Sequence, residues 1–290
     1  KFTLCYLAAQ GQDVMIDMES FRLGSRFANK IWNATRYLLM NIEGRNLVEI
    51  DRSRLTIMDR WIYSSFNKAA KTISEAMASY RFNEAAQAIF SFFWNDFCDW
   101  YIEASKPRLM HGSDEEKDQA VSILMDILEK SMRLMHPFLS FLTEEIYQKL
   151  PNHKGDVIVA PYPLYDEALS DPESEALASL LQECARVVRA ARANLQIGPE
   201  KKLKVVVRLE KGRNAEFLEA EAALLSTFMG ASAVIIDTEG KEDVSGAFPV
   251  SSVGFEAFVF VRDAIDVDAE MARLENELKN ALNTTSDDPD

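Results

Sequence analysis

A chain of 290 residues with 48% hydrophobic positions can bury a substantial core and fill about two domains. Its formal charge of −14 excludes a generally basic nucleic-acid coat, so any polyanion site must be a local patch on an acidic body. With only 11 Gly and 9 Pro it is not loop-rich, and no apolar run approaches the roughly 18 residues a membrane span needs.

Lys1 to Ala9 reads as a helix already under way, without a cap, initiator Met or signal sequence, as expected of a piece of a longer protein. A turn at Gln10–Asp13 and a short extended piece at Val14–Asp17 follow. Asp17 or Ser20 then caps a long helix from Ser20 to Asn41 that ends near Gly44. Thr56 caps the next amphipathic run, in which Trp61, Ile62, Phe66, Ala69, Ile73 and Met77 keep a helical period to about Tyr80. Asn83 is placed to cap a third helix from Glu84 to Lys106, ended by Pro107. Its aromatic residues Phe90, Phe92, Phe93, Trp94, Phe97, Trp100 and Tyr101 cover more than one face, which suits the centre of a bundle.

Ser113 starts a further helix with acidic residues in its first turn, interrupted at Pro137 and resuming through Leu142, Ile146 and Leu150. His136 and the pair Glu144–Glu145 have no second histidine nearby and are read as structural. The proline-rich stretch from Pro151 to Pro172 marks a boundary, followed by a helix from Ser174 to Leu195. On it Arg186, Arg189 and Arg192 form a second basic stripe, read as an exposed face answering Glu173, Glu175 and Glu183. The period then switches to that of a small α/β unit. Strands are expected at Leu203–Leu209, Ala233–Asp237, Ala247–Val250 and Phe255–Val261, with a helix at Ala215–Met229. Met271, Leu274, Leu278 and Leu282 open a coiled-coil seam that two heptads cannot complete. The expected fold is mainly α, with a helical bundle over 1–165, a helix plus small α/β unit over 166–268, and the start of a coiled coil over 269–290.

The three cysteines, Cys5, Cys98 and Cys184, are odd in number and lie in apolar stretches, which suits buried thiols of a cytoplasmic protein. Neither a phosphate-binding Gly-rich loop, nor G-x-S-x-G, nor H-E-x-x-H, nor a C-x-x-C pair occurs, and His111, His136 and His153 are scattered. No catalytic residue and no metal site are assigned.

The most informative stretch is the helix from Ser20. At about 100° per residue, Arg22, Arg26, Asn29, Lys30, Asn33, Arg36 and Tyr37 fall within roughly 120° of arc. Phe21, Leu23, Phe27, Ile31, Trp32 and Leu38 lie on the remainder. A stripe of cations, carboxamides and one phenol without a carboxylate can pair with phosphates, bond base edges and stack a base. A solvated helix face would be the plainer account, but such faces usually mix charge signs.

The segment Asn29-Lys-Ile-Trp-Asn-Ala-Thr-Arg-Tyr-Leu-Leu-Met-Asn41 resembles the signature helix of bacterial valyl-tRNA synthetases. The resemblance continues in order through Asp59-Arg-Trp-Ile62, Tyr80-Arg-Phe82, Phe93-Trp-Asn-Asp-Phe-Cys-Asp-Trp-Tyr-Ile-Glu103, Lys106-Pro-Arg108, His136-Pro-Phe138 and Phe141-Leu-Thr-Glu-Glu145. It covers about residues 1–270 and implies the class I synthetase anticodon-binding bundle. In that family the bundle binds the tRNA anticodon stem and loop. Carried over, Lys30, Asn33 and Tyr37 would meet the anticodon bases with Arg26 close by, while Arg22 and Asn29 come from face geometry alone. The family often has Phe where this chain has Tyr37, and a Gly-Tyr-Arg-Asn-Phe segment where this chain has Leu23-Gly-Ser-Arg-Phe27. The H-I-G-H and K-M-S-K-S motifs and the editing domain are absent from this sequence. The resemblance therefore implies a parent ligase that attaches valine to its tRNA using ATP with Mg. This chain would act as its monomeric tRNA-reading part, with no cofactor of its own. The −14 charge and the coiled-coil tail keep open an alternative, a helical protein-interaction or scaffold fragment without RNA binding.

Overall fold

The computed structural model describes residues 1–8, 17–151, 153–209, 214–262 and 264. The chain divides into two compact units, Lys1–Ala178 and Ser179–Asp290. The extended piece expected from Val14 and the coiled coil expected from 269 lie outside the described residues, apart from Asp17.

The first unit contains α1 (Phe2–Leu7), α2 (Ser20–Ile42), α3 (Ile57–Ala78), α4 (Phe82–Phe90), a π-helix (Ser91–Tyr101), α5 (Ile102–His111), α6 (Asp114–Met135), α7 (Ser140–Tyr147) and the start of α8 (Pro172–Asn194). Local chemistry sets the starts. The Asp17 carboxylate accepts from the Ser20 backbone N–H at 2.7 Å and its hydroxyl at 2.6 Å. Thr56 with Asp59 and Ser113 with Glu116 each form a reciprocal capping box. The first residue of α4 is Phe82, so Asn83 lies inside that helix instead of capping it. Phe27, Ile31 and Leu38 of α2 are buried, as are Ile62 and Ile73 of α3 and Ile123, Leu124 and Leu128 of α6. Each contributes about 1.5–3 kcal/mol through removal of its side chain from water.

The aromatic stretch departs from a single α-helix. Between Ser91 and Tyr101 the backbone winds as a π-helix, closed by Ile102 N–H donating to the Phe97 carbonyl five residues back. Its buried residues are Phe92, Phe93, Phe97, Cys98 and Tyr101, among which steps of four (93 to 97, 97 to 101) and five (92 to 97, 93 to 98) recur. The wider winding gathers onto one side what an α period spreads around the axis. Pro107 does not end the helix either, but sits inside α5. Arg108, next in sequence, donates to the buried Asp59 carboxylate at 2.8 and 2.5 Å, and this anchoring outweighs the lost hydrogen bond. Asp59 also accepts from the Tyr101 hydroxyl at 2.6 Å and the Thr56 N–H at 2.9 Å. Burial, and then the Asp59 carboxylate, push the Tyr101 phenol well above its usual range.

Pro137 interrupts the fourth run as expected, between α6 and α7. His136 shares a 2.8 Å hydrogen bond with Thr143, Glu144 accepts from the Val157 N–H, and Glu145 pairs with Lys149. These are structural roles. The proline-rich stretch is tied to α3: Asn67 donates to the Asp166 carbonyl and accepts from the Asp166 N–H, both at 2.8 Å.

Asp96 carries a pH signature. Burial raises its pKa from 3.8 to about 6, opposed by a hydrogen bond from Ser65. A carboxyl whose folded pKa is raised penalises the fold when ionised, fully above the folded pKa and not at all below the unfolded one. Asp96→Asn should therefore stabilise the unit by roughly 1–3 kcal/mol at about pH 7.5, with the gain gone by about pH 4. Urea denaturation at the two pH values measures it.

The second unit, taken by itself, carries a sheet of β1 (Leu203–Leu209), β2 (Ala231–Asp237), β3 (Phe248–Ser252) and β4 (Phe255–Val259) in the order β2-β1-β4-β3. β1 and β2 are parallel, joined through α9 (Ala215–Ala220) and α10 (Ala222–Met229), while β4 runs antiparallel to β1 and β3. The expected helix over 215–229 thus breaks at Glu221. The second basic stripe is an exposed face only in part: Arg186 and Arg189 are exposed, and Arg192 is buried. Arg189 donates to the Phe228 carbonyl at 2.6 Å, and Arg192, only 7% exposed, donates to the carbonyls of Gly230, Gly198 and Lys201. These guanidinium groups bond the Phe228 and Gly230 carbonyls at the C-terminal end of α10, and Arg192 also bonds two carbonyls of the turn between α8 and β1. Arg186 pairs with a helix neighbour, Glu183.

Candidate nucleic-acid interface

Four buried side chains of α2, Phe27, Ile31, Thr35 and Leu38, hold one side of the helix on the bundle and turn the polar stripe outward. Arg22, Arg26, Asn29, Asn33 and Arg36 are exposed, and Lys30 and Tyr37 are half-buried. Phe21 and Trp32, which the helical period assigns to the core, are 43% and 41% exposed. The core-facing arc is therefore narrower than the apolar arc.

The stripe is not free of carboxylates once its neighbours are in place. Arg22 pairs with Glu19 at 2.8 Å at the surface. Lys30 Nζ lies 2.6 Å from Asp99 Oδ1 and 5.3 Å from the centre of the Trp94 ring. Trp94 itself stacks on Phe90 at 5.1 Å and on Phe27 at 6.4 Å. Farther along, Lys106 Nζ stands 5.9 Å from the Tyr37 ring centre and pairs with Glu103 at 2.6 Å. Burial raises the Tyr37 phenol pKa, with Lys106 opposing it, so the hydroxyl stays protonated near neutral pH. Arg26 and Arg36 have no ion pair among the described residues.

The site is thus a two-helix face. One row is Arg26, Lys30, Asn33 and Tyr37, on α2. The other is Trp94 and Asp99 on the π-helix, continuing to Glu103 and Lys106 on α5. An open groove of about 540 Å³ runs along its N-terminal half, lined by Arg22, Arg26 and Trp94 together with Asp17 and Glu19. Cations with free N–H groups, exposed carboxamides and a half-open phenol ring can bind a phosphate chain, bond base edges and stack a base.

All six residues expected from the sequence, Arg22, Arg26, Asn29, Lys30, Asn33 and Tyr37, belong to α2, and the fold places them along one side. Trp94, Asp99, Glu103 and Lys106 were not foreseen as part of it. The signal that could have found them is the five-residue step from Trp94 to Asp99, which aligns two side chains only in a π winding. A second cavity, of about 390 Å³, is lined by Arg60, Tyr63, Asp126, Lys130 and Asp171. Asp126 accepts there from Tyr63 at 2.9 Å and Lys130 at 2.6 Å, Arg60 faces Asp171 at 3.4 Å, and Arg52 also lines the cavity. Among the described residues no group of His, Cys, Asp and Glu could hold a metal ion, and no helix is long and apolar enough to cross a membrane.

Comparison with known proteins gives consistent matches. Residues 59–207 match the family described as the anticodon-binding domain of tRNA ligase. The valine–tRNA ligase of Treponema denticola is 42% identical over 99% of this chain and 33% of its own length. That of Treponema pallidum is 39% identical over 97% of this chain and 32% of its own length. That of Thermotoga maritima is 38% identical over 94% and 30%, respectively. The chain spans about a third of the length of these relatives.

Proposed function

Because the chain belongs to the family of anticodon-binding domains of tRNA ligases, we propose that it reads the anticodon of valine tRNA for an enzyme that attaches valine to that tRNA. One observation carries the reading: the bundle holds Lys30, Asn33 and Tyr37 together on the outward side of α2, beside exposed Arg26. Arg22 and Arg26 pair with loop phosphates, Asn29 and Asn33 bond base edges, Lys30 supplies ammonium N–H groups, and Tyr37 offers a ring face for stacking. The relatives named as valine–tRNA ligases support valine tRNA as the partner. This chain's own residues bind and position RNA. The joining of valine to tRNA, with ATP and Mg, is assigned to a catalytic core and not to them. The working form is a cytoplasmic monomer.

The test is fluorescence anisotropy with a labelled valine anticodon stem-loop, titrated at several salt concentrations. Saturable binding is expected at about 50 mM salt, weakening steeply by about 200 mM as phosphate contacts release counterions. A stem-loop with a different anticodon should bind more weakly at every salt. Absence of binding at low salt would overturn the proposal in favour of a scaffold role.

A further inference from the structure

A phosphate-binding face has no electrostatic reason to carry carboxylates, yet beside Asp17 and Glu19 at its N-terminal end two more, Asp99 and Glu103, stand in the row facing the α2 stripe. Asp99 is the closer, with Lys30 Nζ 2.6 Å from its Oδ1 and its side chain 42% exposed. Its Oδ2 has no hydrogen-bond partner among the described residues. The ammonium of Lys30 is fixed between this carboxylate and the face of Trp94 at 5.3 Å. The π winding puts Trp94 and Asp99 on the same edge of their helix, so ring, ammonium and carboxylate come together as one group.

We propose that Asp99 is a specificity-determining residue that accepts a hydrogen bond from the exocyclic amino group of an anticodon base. The inference rests on the anticodon-reading function above. An ionised carboxylate only accepts hydrogen bonds. At the position of that exocyclic group adenine (N6) and cytosine (N4) present donors, whereas guanine (O6) and uracil (O4) present acceptors; guanine N1–H and N2 or uracil N3–H reach the carboxylate only from a shifted pose. A site built around a hydrogen bond rejects the analogue that lacks it, because its own polar group is then unpaired. Lys30 neutralises Asp99 toward the nearby phosphates and, held in place, donates in a fixed direction. Lysine alone, on a flexible stem with three rotatable donors, would discriminate poorly. Valine codons begin with G and U, so the last two anticodon bases are adenine and cytosine, and both carry the amino group this carboxylate would select.

The experiment measures binding of this chain to three anticodon stem-loops. One is natural, one replaces the middle adenine by purine, and one replaces the last cytosine by pyrimidin-2-one, each substitute lacking only the amino group. The parent chain should bind one of the two altered loops roughly ten- to a hundredfold more weakly than the natural one. Asp99→Ala should bring that ratio to about one, mainly by weakening the natural loop. Asp99→Asn, which keeps one acceptor oxygen, should retain part of the ratio and serves the same comparison if the alanine variant does not fold. A carboxylate that merely steadied Lys30 would weaken all three loops alike. A ratio unchanged in both variants, or equal weakening of all loops, overturns the role of Asp99 and leaves the anticodon reading standing. A parent chain that binds none of the loops overturns both.

Discussion

Asp59→Ala should lower the unfolding free energy of the helical unit by about 3–5 kcal/mol, the largest single-site loss of stability expected outside the apolar core. The Asp59 side chain is fully buried and accepts from Arg108, Tyr101 and the Thr56 backbone. Its removal leaves a largely buried guanidinium and a buried phenol without an acceptor, and takes away half of the capping box that starts α3. The pair spans 49 residues and joins the start of α3 to α5, so the orientation of the site's second row depends on it. Guanidinium denaturation followed by tryptophan fluorescence checks this, and a loss below about 1 kcal/mol would contradict it. Replacing Asp59 and Arg108 together by leucine and methionine should cost much less than Asp59→Ala, since no charge is then left buried.

The largest effect on binding is expected at Tyr37. Tyr37→Ala should weaken valine anticodon stem-loop binding by about 1–3 kcal/mol, the range for losing one stacked base. Tyr37→Phe should stay within about 0.5 kcal/mol of the parent, because stacking uses the ring face and not the hydroxyl. The helix tolerates the alanine change: Tyr37 is half-buried at the edge of the bundle, not in its core. Anisotropy titration of both variants separates the cases. Equal weakening by Phe and Ala would mean that the hydroxyl, not the ring, makes the contact.

Much of the architecture is written locally. Thr56 and Ser113, each followed three residues later by a carboxylate, announce helix starts that the fold realises as capping boxes. Leu203–Leu209 is apolar enough to be read as a strand, and it forms the interior of the sheet. The α2 stripe is legible for the same reason, since a single helical period decides which residues share a side. What was not legible depends on partners distant in sequence or on a change of winding. Asp99 joins the site only by meeting Lys30 across 69 residues. Nothing in an i, i+3 arginine pattern tells that Arg192 is buried against carbonyls, one of them 38 residues away, while Arg189, though exposed, also reaches one. The π-helix escaped because buried aromatics at spacings of four and five also read as an α-helix apolar on several sides. Pro107 was read as a stop because its cost is local and the anchoring of Arg108 is not.

The central claim is that the outward face of α2, with the row from Trp94 to Lys106, meets the anticodon. Photo-crosslinking tests it most directly: a valine anticodon stem-loop carrying 4-thiouridine at its first anticodon position is irradiated with this chain, and the linked peptides are identified by mass spectrometry. Crosslinks should fall within residues 22–37 and 94–106 and be lost on competition with unlabelled valine stem-loop. Crosslinks concentrated instead on the sheet of the second unit, or undiminished by the competitor, would contradict it.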